Sequence, residues 1–411
     1  MREYKITAFA CYIGYITQAL VITLPSLLFT VFYNKFGISL SELGILITVN
    51  FFVQIAMDIS SAAFINKTGY RPPAIIAHIC CFLGLIGLAV LPNILNNKYL
   101  AAALPIFVSS VGGGLIEVLI SPTMEALPTK KKSASMALLH SFFCWGQLAT
   151  ALFSTIYFSI FGIDHWYLLP LIWALVPFIN IFLFIKVPLP EIEKEKKTMS
   201  IKELFMNKFF WLFLILMLCG GAAEQSMSQW ASLFAETGLG VSKSLGDLLG
   251  LSLFAALMGI SRLFYGLKSE SLSLSKFILY SALLCMASYA LAVFSKSPLL
   301  SLLGCALCGL SVGIMWPGTF SLASRSFPRG GTAMFALLAF SGDIGCSLGP
   351  GMVGFLSDAF NSGKVSMPLF YGSASQQGLK FGLMFAIIFP LVLAIAICIV
   401  MKIRKKRRNL A

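Results

Sequence analysis

Three carboxylates, Glu117, Glu224 and Asp343, lie inside long apolar runs of the chain. If those runs cross a bilayer, a charge near the centre costs at least about 2.5 kcal/mol, which makes each of them a functional candidate by default. Counting inward from the ends of each run puts Glu224 and Asp343 close to the middle and Glu117 about one helical turn from it. A carboxylate so placed can take a proton on one side and release it on the other, and Glu117 suits that task best of the three. Helical spacing shows what each shares a face with. Gly113, Glu117, Ser121 and Glu125 recur every fourth residue as one polar stripe, and Gly221, Gln225, Gln229 and Ser232 form a second, flanked by Glu224, Ser228 and Trp230. With Gln18, His140 and Gln147 these amides offer both donors and acceptors. The mixture suits a polar, uncharged ligand. An anionic one would want Arg or Lys at the same depth, and none is expected there. Trp316 and Trp145 serve either as packing residues or as platforms for a sugar ring, and His140 either bridges two helices or touches the ligand.

Nearer the ends of the runs, Asp58 and Glu125 are expected at one depth with Arg262 facing them, and Lys67, Gly69 and Arg71 follow in the adjoining loop. These six are candidates for a gate. Asp58 and Arg262 can equally pair with neighbouring helix ends, and Glu125 with Arg71 can form a latch screened by solvent. No nucleophile, base and orienter fall at helical spacing, and no cluster of metal ligands does. No catalytic residue, metal or cofactor is therefore expected. Cys305 and Cys308 form a CxxC inside an apolar stretch, where small polarizable thiols act as packing residues.

Positioning such residues requires membrane helices. Of 411 residues, 58% are hydrophobic and 11% charged, against roughly 25% charged in a soluble domain. Mean hydropathy is +0.89. Twelve apolar stretches of spanning length are expected, at 6–32, 43–65, 74–92, 99–127, 134–160, 166–185, 209–235, 245–267, 276–295, 298–323, 332–357 and 377–401. The charged break at 186–208 divides the chain into an N-terminal half, 1–185, and a C-terminal half, 209–411. The net charge of +14 is distributed, not clustered as a nucleic-acid binder would need. With the N-terminus inside, inner segments hold 23 Lys and Arg and outer loops six. That asymmetry places both termini and the central linker in the cytoplasm. The terminal basic run from Lys402 to Arg408 reads as a stop signal that anchors the last helix, with binding to anionic lipid or a partner as the alternative.

The halves carry traces of one ancestor. Gly113, Ser121 and Pro128 recur as Gly313, Ser321 and Pro328, and Gly37, Ser39 and Ser41 recur as Gly240, Ser242 and Ser244. Polar residues concentrate on helices 1, 4, 5, 7, 10 and 11, as a cavity shielded by helices 3, 6, 9 and 12 requires. Only His78, Asn180 and a few Ser interrupt the shielding set.

Between helices 2 and 3, the residues from Ala62 to Arg71 resemble the loop signature G-x-x-x-D-[RK]-x-G-[RK]-[RK] of the major facilitator superfamily. Lys67, Gly69 and Arg71 fit it; Ala62, Asn66 and Tyr70 depart from it. The Gly-rich, Glu-bearing helix 4, the segment from His140 to Gly146 and the stretch from Glu224 to Trp230 are similar to the fucose and hexose proton-symporter branch. Helix 1 departs from that branch in carrying Gln18, and no acid, at its middle. The resemblance implies an all-α fold of two parallel six-helix repeats with the ligand site at midplane between them. It also implies a monomeric, multi-pass protein of the cytoplasmic membrane whose partners are a small polar solute, protons and membrane lipid, with no nucleic acid. The function it implies is proton-coupled uptake of a sugar-like solute. A drug/proton antiporter of the same fold and, in a different class, a membrane-embedded enzyme are the alternatives.

Overall fold

The computed structural model describes residues 4–128, 132–189, 199–268, 273–363 and 374–410. Residues 190–198 of the expected linker, and the side chains of Asp58, Lys67 and Glu125, lie outside the described residues. Among the described residues, twelve helices are long and apolar enough to span a membrane. Helices 1 to 6 are Tyr4–Phe36, Leu40–Thr68, Arg71–Ile94, Lys98–Ala126, Lys132–Phe161 and Leu168–Lys186. Helices 7 to 12 are Lys208–Ser228, Lys243–Tyr265, Leu274–Phe294, Pro298–Ser326, Gly331–Asn361 and Gln376–Lys406.

Local chemistry sets the ends. Gly37 adopts φ +67° and Gly240 φ +69°, the left-handed conformation that costs a side-chain-bearing residue most. Two residues later, Ser39 and Ser242 cap helices 2 and 8, accepting from the amides of Glu42 and Leu245. The repeated sequence is thus a repeated turn-and-cap. In the linker, Ser200 and Glu203 form a capping box on a short helix, Ile201–Met206. The amide and hydroxyl of Ser200 hold the Glu203 carboxyl below its ordinary range. The basic run does not end the last helix but continues it, as Ile388–Leu410.

The packing pattern of one half is that of the other moved along by six helices. In the first half helix 1 packs on 4, 5 and 6, helix 2 on 4, and helix 3 on 4 and 6. In the second, helix 7 packs on 10, 11 and 12, helix 8 on 10, and helix 9 on 10 and 12. The halves join through two pairings that exchange under the same operation, helix 2 with 11 and helix 5 with 8.

The first of these joints closes the end far from the termini. A Cβ on Gly44 of helix 2 would stand 3.3 Å from the Gly351 carbonyl and 3.4 Å from the Gly354 Cα of helix 11. Small residues let these backbones approach. Thr48 Oγ1 then donates to the Ser347 carbonyl at 3.1 Å, and Ser347 Oγ to the Thr48 carbonyl at 3.3 Å. Asp358 accepts from the Ser41 amide at 2.7 Å, a carboxylate at the positive end of helix 2.

Candidate functional site

Two polar pairs meet where helices 1, 4, 7 and 8 approach the middle of the bundle. Gln18 Nε2 donates to Glu117 Oε2 at 2.8 Å, joining helix 1 to helix 4. Arg262 Nη2 of helix 8 reaches Glu224 Oε2 of helix 7 at 3.4 Å. Around Glu224 an amide chain continues along helix 7. Gln225 Nε2 donates to Glu224 Oε1 at 3.3 Å, while Gln225 Oε1 accepts from Gln229 Nε2 at 3.0 Å and Ser228 Oγ at 3.2 Å. Gln229 also crosses to the other half, donating to the Ile22 carbonyl at 3.4 Å. Asp343 is buried on helix 11, and the neighbouring Cys346 lies within electrostatic reach of Asp343, Glu224 and Glu117. The three carboxylates picked from sequence therefore converge.

Arg262 corrects two expectations. The α-helix runs on past the spanning stretch of helix 8 to Lys268, which sets the Arg262 Cα about 9 Å from that end, on the terminus side as expected. Its side chain, however, pairs with Glu224. Helical side chains lean toward the N-terminus of their own helix. Helix 8 starts at the far end and helix 7 at the terminus end, so Arg262 and Glu224 lean toward each other. A midplane cation is present after all, and the inference of an uncharged ligand loses its premise.

The Glu125 side chain, the expected partner of Arg71 in a latch, lies outside the described residues. The Arg71 guanidinium caps the end of helix 6, donating to the carbonyls of Phe184 at 2.9 Å and Val187 at 2.9 Å, and to that of Ile185. Gly69 ends helix 2 with φ +78°, a conformation that favours glycine. Trp230 sits beyond the amide chain, fully buried, its Nε1 donating to the Pro350 carbonyl at 3.1 Å and its ring 5.7 Å from that of Phe29. It bridges the halves on the far side. Trp316 is half-buried and stands over Gly342, where any side chain would collide with the indole. His140 is half-buried, edge-on to Tyr15 with ring centroids 5.3 Å apart. Gln147 is buried with its Oε1 lacking a hydrogen-bond partner, and so is Gln18 Oε1. His78 and Asn180 pair with each other at 2.7 Å, and Asn180 holds the Ala10 carbonyl at 3.1 Å, so these exceptions among the shielding helices bind helices 3, 6 and 1 together.

Sequence reading passed over Tyr15 and a buried ion pair. Tyr15 shares a hydrogen bond of 2.8 Å with Ser121, and its three-residue spacing to Gln18 on helix 1 was the available signal. Lys243 pairs with Asp247 at 3.1 Å, donates to Ser232 Oγ at 3.0 Å and lies 5.3 Å over the Phe158 ring of the other half. Their four-residue spacing was likewise legible. Gln229 lines a void of about 10 Å³ together with Ile22, Pro25, Phe29 and Leu46, room for roughly one water.

A twelve-helix membrane bundle of two matched halves, with its buried polar groups gathered between them, defines a polytopic transporter. The chain belongs to the Major Facilitator Superfamily, which matches residues 8–350. Among solved structures it is similar to a bacterial homologue of the human lysosomal transporter Spinster in an inward-facing, occupied conformation. That likeness has a TM-score of 0.76 and 16% identity, covering 98% of this chain and 97% of the other. It is also similar to a D-xylose–proton symporter, with TM-score 0.70, 15% identity and 94% and 97% covered. A third likeness is to the E. coli fucose:proton symporter, with TM-score 0.62, 17% identity and 96% and 99% covered. These likenesses establish the fold. No curated protein matches the sequence.

Proposed function

We propose that this protein is a secondary active transporter that moves a small, polar, sugar-like solute across the cytoplasmic membrane by alternating access, coupled to protons. The observation that carries this reading is the set of buried polar atoms left over at midplane. Gln18 Oε1, Gln147 Oε1 and Arg262 Nε lack hydrogen-bond partners, and two of these side chains hold the carboxylates of opposite halves, Gln18 that of Glu117 and Arg262 that of Glu224. Unmet polar groups in a bilayer interior are costly, and a polar solute between the halves would satisfy them. The glycine-lined joint of helices 2 and 11 closes the far end, consistent with a state open toward the termini. The excess of Lys and Arg on the terminus side supports a cytoplasmic location for that side.

Glu117 is the first candidate for the coupling proton, followed by Glu224 and Asp343. Gln18, His140, Gln147, Glu224, Gln225, Gln229 and Trp316 are the solute contacts, with Trp230 closing the site on the far side. Arg71, Gly69 and Lys67, with Asp58 and Glu125, are the gate candidates on the terminus side. The protein works as a monomer in lipid. Two of its structural neighbours are sugar–proton symporters by name, which agrees with the amide-rich lining. The test is thermal stabilisation of the purified protein across a panel of aldoses, polyols and sugar acids, since a ligand bound only by the native state raises apparent stability. A response to lipophilic cations and to none of the panel would overturn the solute class.

A further inference from the structure

Arg262 has more to offer than Glu224 takes. A guanidinium presents five donors in a planar fork that matches a carboxylate two bonds at a time, and such charge-assisted bonds close to about 2.7–2.9 Å. Here Glu224 engages one Nη2 at 3.4 Å and shares its other oxygen with Gln225. The Nε, which completes the two-bond edge, is buried with no partner. The side chain as a whole is 14% exposed, so other atoms of the guanidinium arm reach solvent while its Nε does not.

Beside Glu224, the Nη2 of Arg262 also lies 3.7 Å from the Met258 Sδ, a weak acceptor. Tyr15, His140 and Cys144 lie within electrostatic reach of Arg262, and Cys346 with Asp343 and Glu117 lies on the Glu224 side. Among these described groups Arg262 is the one permanent cation. Around it stand amides suited to hydroxyls: Gln18, Gln225 and Gln229.

We infer that Arg262 is the receptor for a carboxylate on the transported solute, which is a polyhydroxy monocarboxylate, a sugar acid, and not a neutral sugar. This rests on the transporter reading above and narrows its substrate class. In the empty site Arg262 and Glu224 neutralise one another. A solute carboxylate on Arg262 leaves Glu224 a second anion beside one cation in the bilayer interior, and a proton from water bonding to Glu224 restores neutrality. A sugar acid therefore binds with one proton more than a neutral sugar does.

The experiment compares gluconate and galactonate with glucose and galactose, reading thermal stabilisation and proton uptake in weak buffer on the full-length purified protein. The aldonates are expected to bind about 10-fold to 100-fold more tightly than their parent aldoses, as a hydrogen bond to a charged group is worth, and to take up a proton that the aldoses do not. In Arg262→Gln the acid-to-neutral affinity ratio falls to near one, and in Arg262→Lys it stays above one. Because Arg262→Gln leaves Glu224 unpaired, the double variant Arg262→Gln/Glu224→Gln, which removes both charges, must also show a ratio near one. Aldoses binding as well as aldonates would overturn this inference and leave the transporter reading standing. So would an acid preference that survives in the double variant. If neither class binds, the inference fails, and uptake by vesicles decides the transporter reading separately.

Discussion

Glu117 and Glu224 each meet their partner across helices that run in opposite directions. Gln18 leans toward the terminus end and Glu117 away from it, so they join at 2.8 Å, and the same rule joins Glu224 with Arg262. The carboxylates were legible because a charge in an apolar run stands out. Arg262 was legible as a residue and misplaced in depth, because counting along the backbone ignores the length and lean of an Arg side chain. Asp247 was overlooked because it lies near the start of its span, yet its side chain is fully buried against Lys243. In Glu117→Gln the side chain keeps its size and still accepts from Gln18 but cannot ionise. Proton-driven accumulation should therefore vanish while counterflow exchange persists, and a mutant that still concentrates solute under a proton gradient moves the coupling role to Glu224 or Asp343. Asp247→Asn strands Lys243 in a dry site, and breaking a buried pair in this way costs about 3–5 kcal/mol. A melting temperature equal to wild type would show that the pair is not structurally important.

Element by element, apolar runs of spanning length were enough to find all twelve helices, and their ends followed where a cap or a left-handed glycine marks them. Gly37 with Ser39 and Gly240 with Ser242 are the plainest cases, since one short pattern produces one turn geometry twice. The irregularities were not legible. Helix 7 turns at Gln229 and Trp230 and continues as a π-helical stretch, Phe234–Gly238, and helix 8 carries a second, Asp247–Ser252. Such bulges arise from how neighbouring helices pack, which no local spacing records. The joint of helices 2 and 11 yields a prediction at this scale. A Cβ on Gly354 would stand 2.9 Å from the Trp230 ring and 3.1 Å from the Gly44 Cα, so Gly354→Leu cannot be seated without parting the halves at the far end. A cysteine placed at Thr48 in this variant should react with an impermeant thiol reagent from the far side several-fold faster than in wild type. Equal rates would mean that the joint does not hold that end shut.

At the scale of the whole molecule, the two halves repeat one packing scheme and meet chiefly through two interchangeable joints. The scheme is visible in sequence only as scattered matches about 200 residues apart. The close joint of helices 2 and 11 was not legible, because spacing along one helix does not record which helix packs against it. Topology is tested by a cysteine at Lys405: an impermeant reagent outside intact cells should leave it unlabelled, and labelling there would reverse the orientation. Proton-driven movement of a polar solute, the function proposed here, can be measured in proteoliposomes carrying this protein alone, acidic outside, with radiolabelled aldoses and aldonates supplied in turn. At least one of these solutes should accumulate above its external concentration, and the accumulation should collapse when a protonophore removes the gradient. Uptake of none of them above protein-free vesicles, or uptake that the protonophore leaves unchanged, would contradict the proposed function.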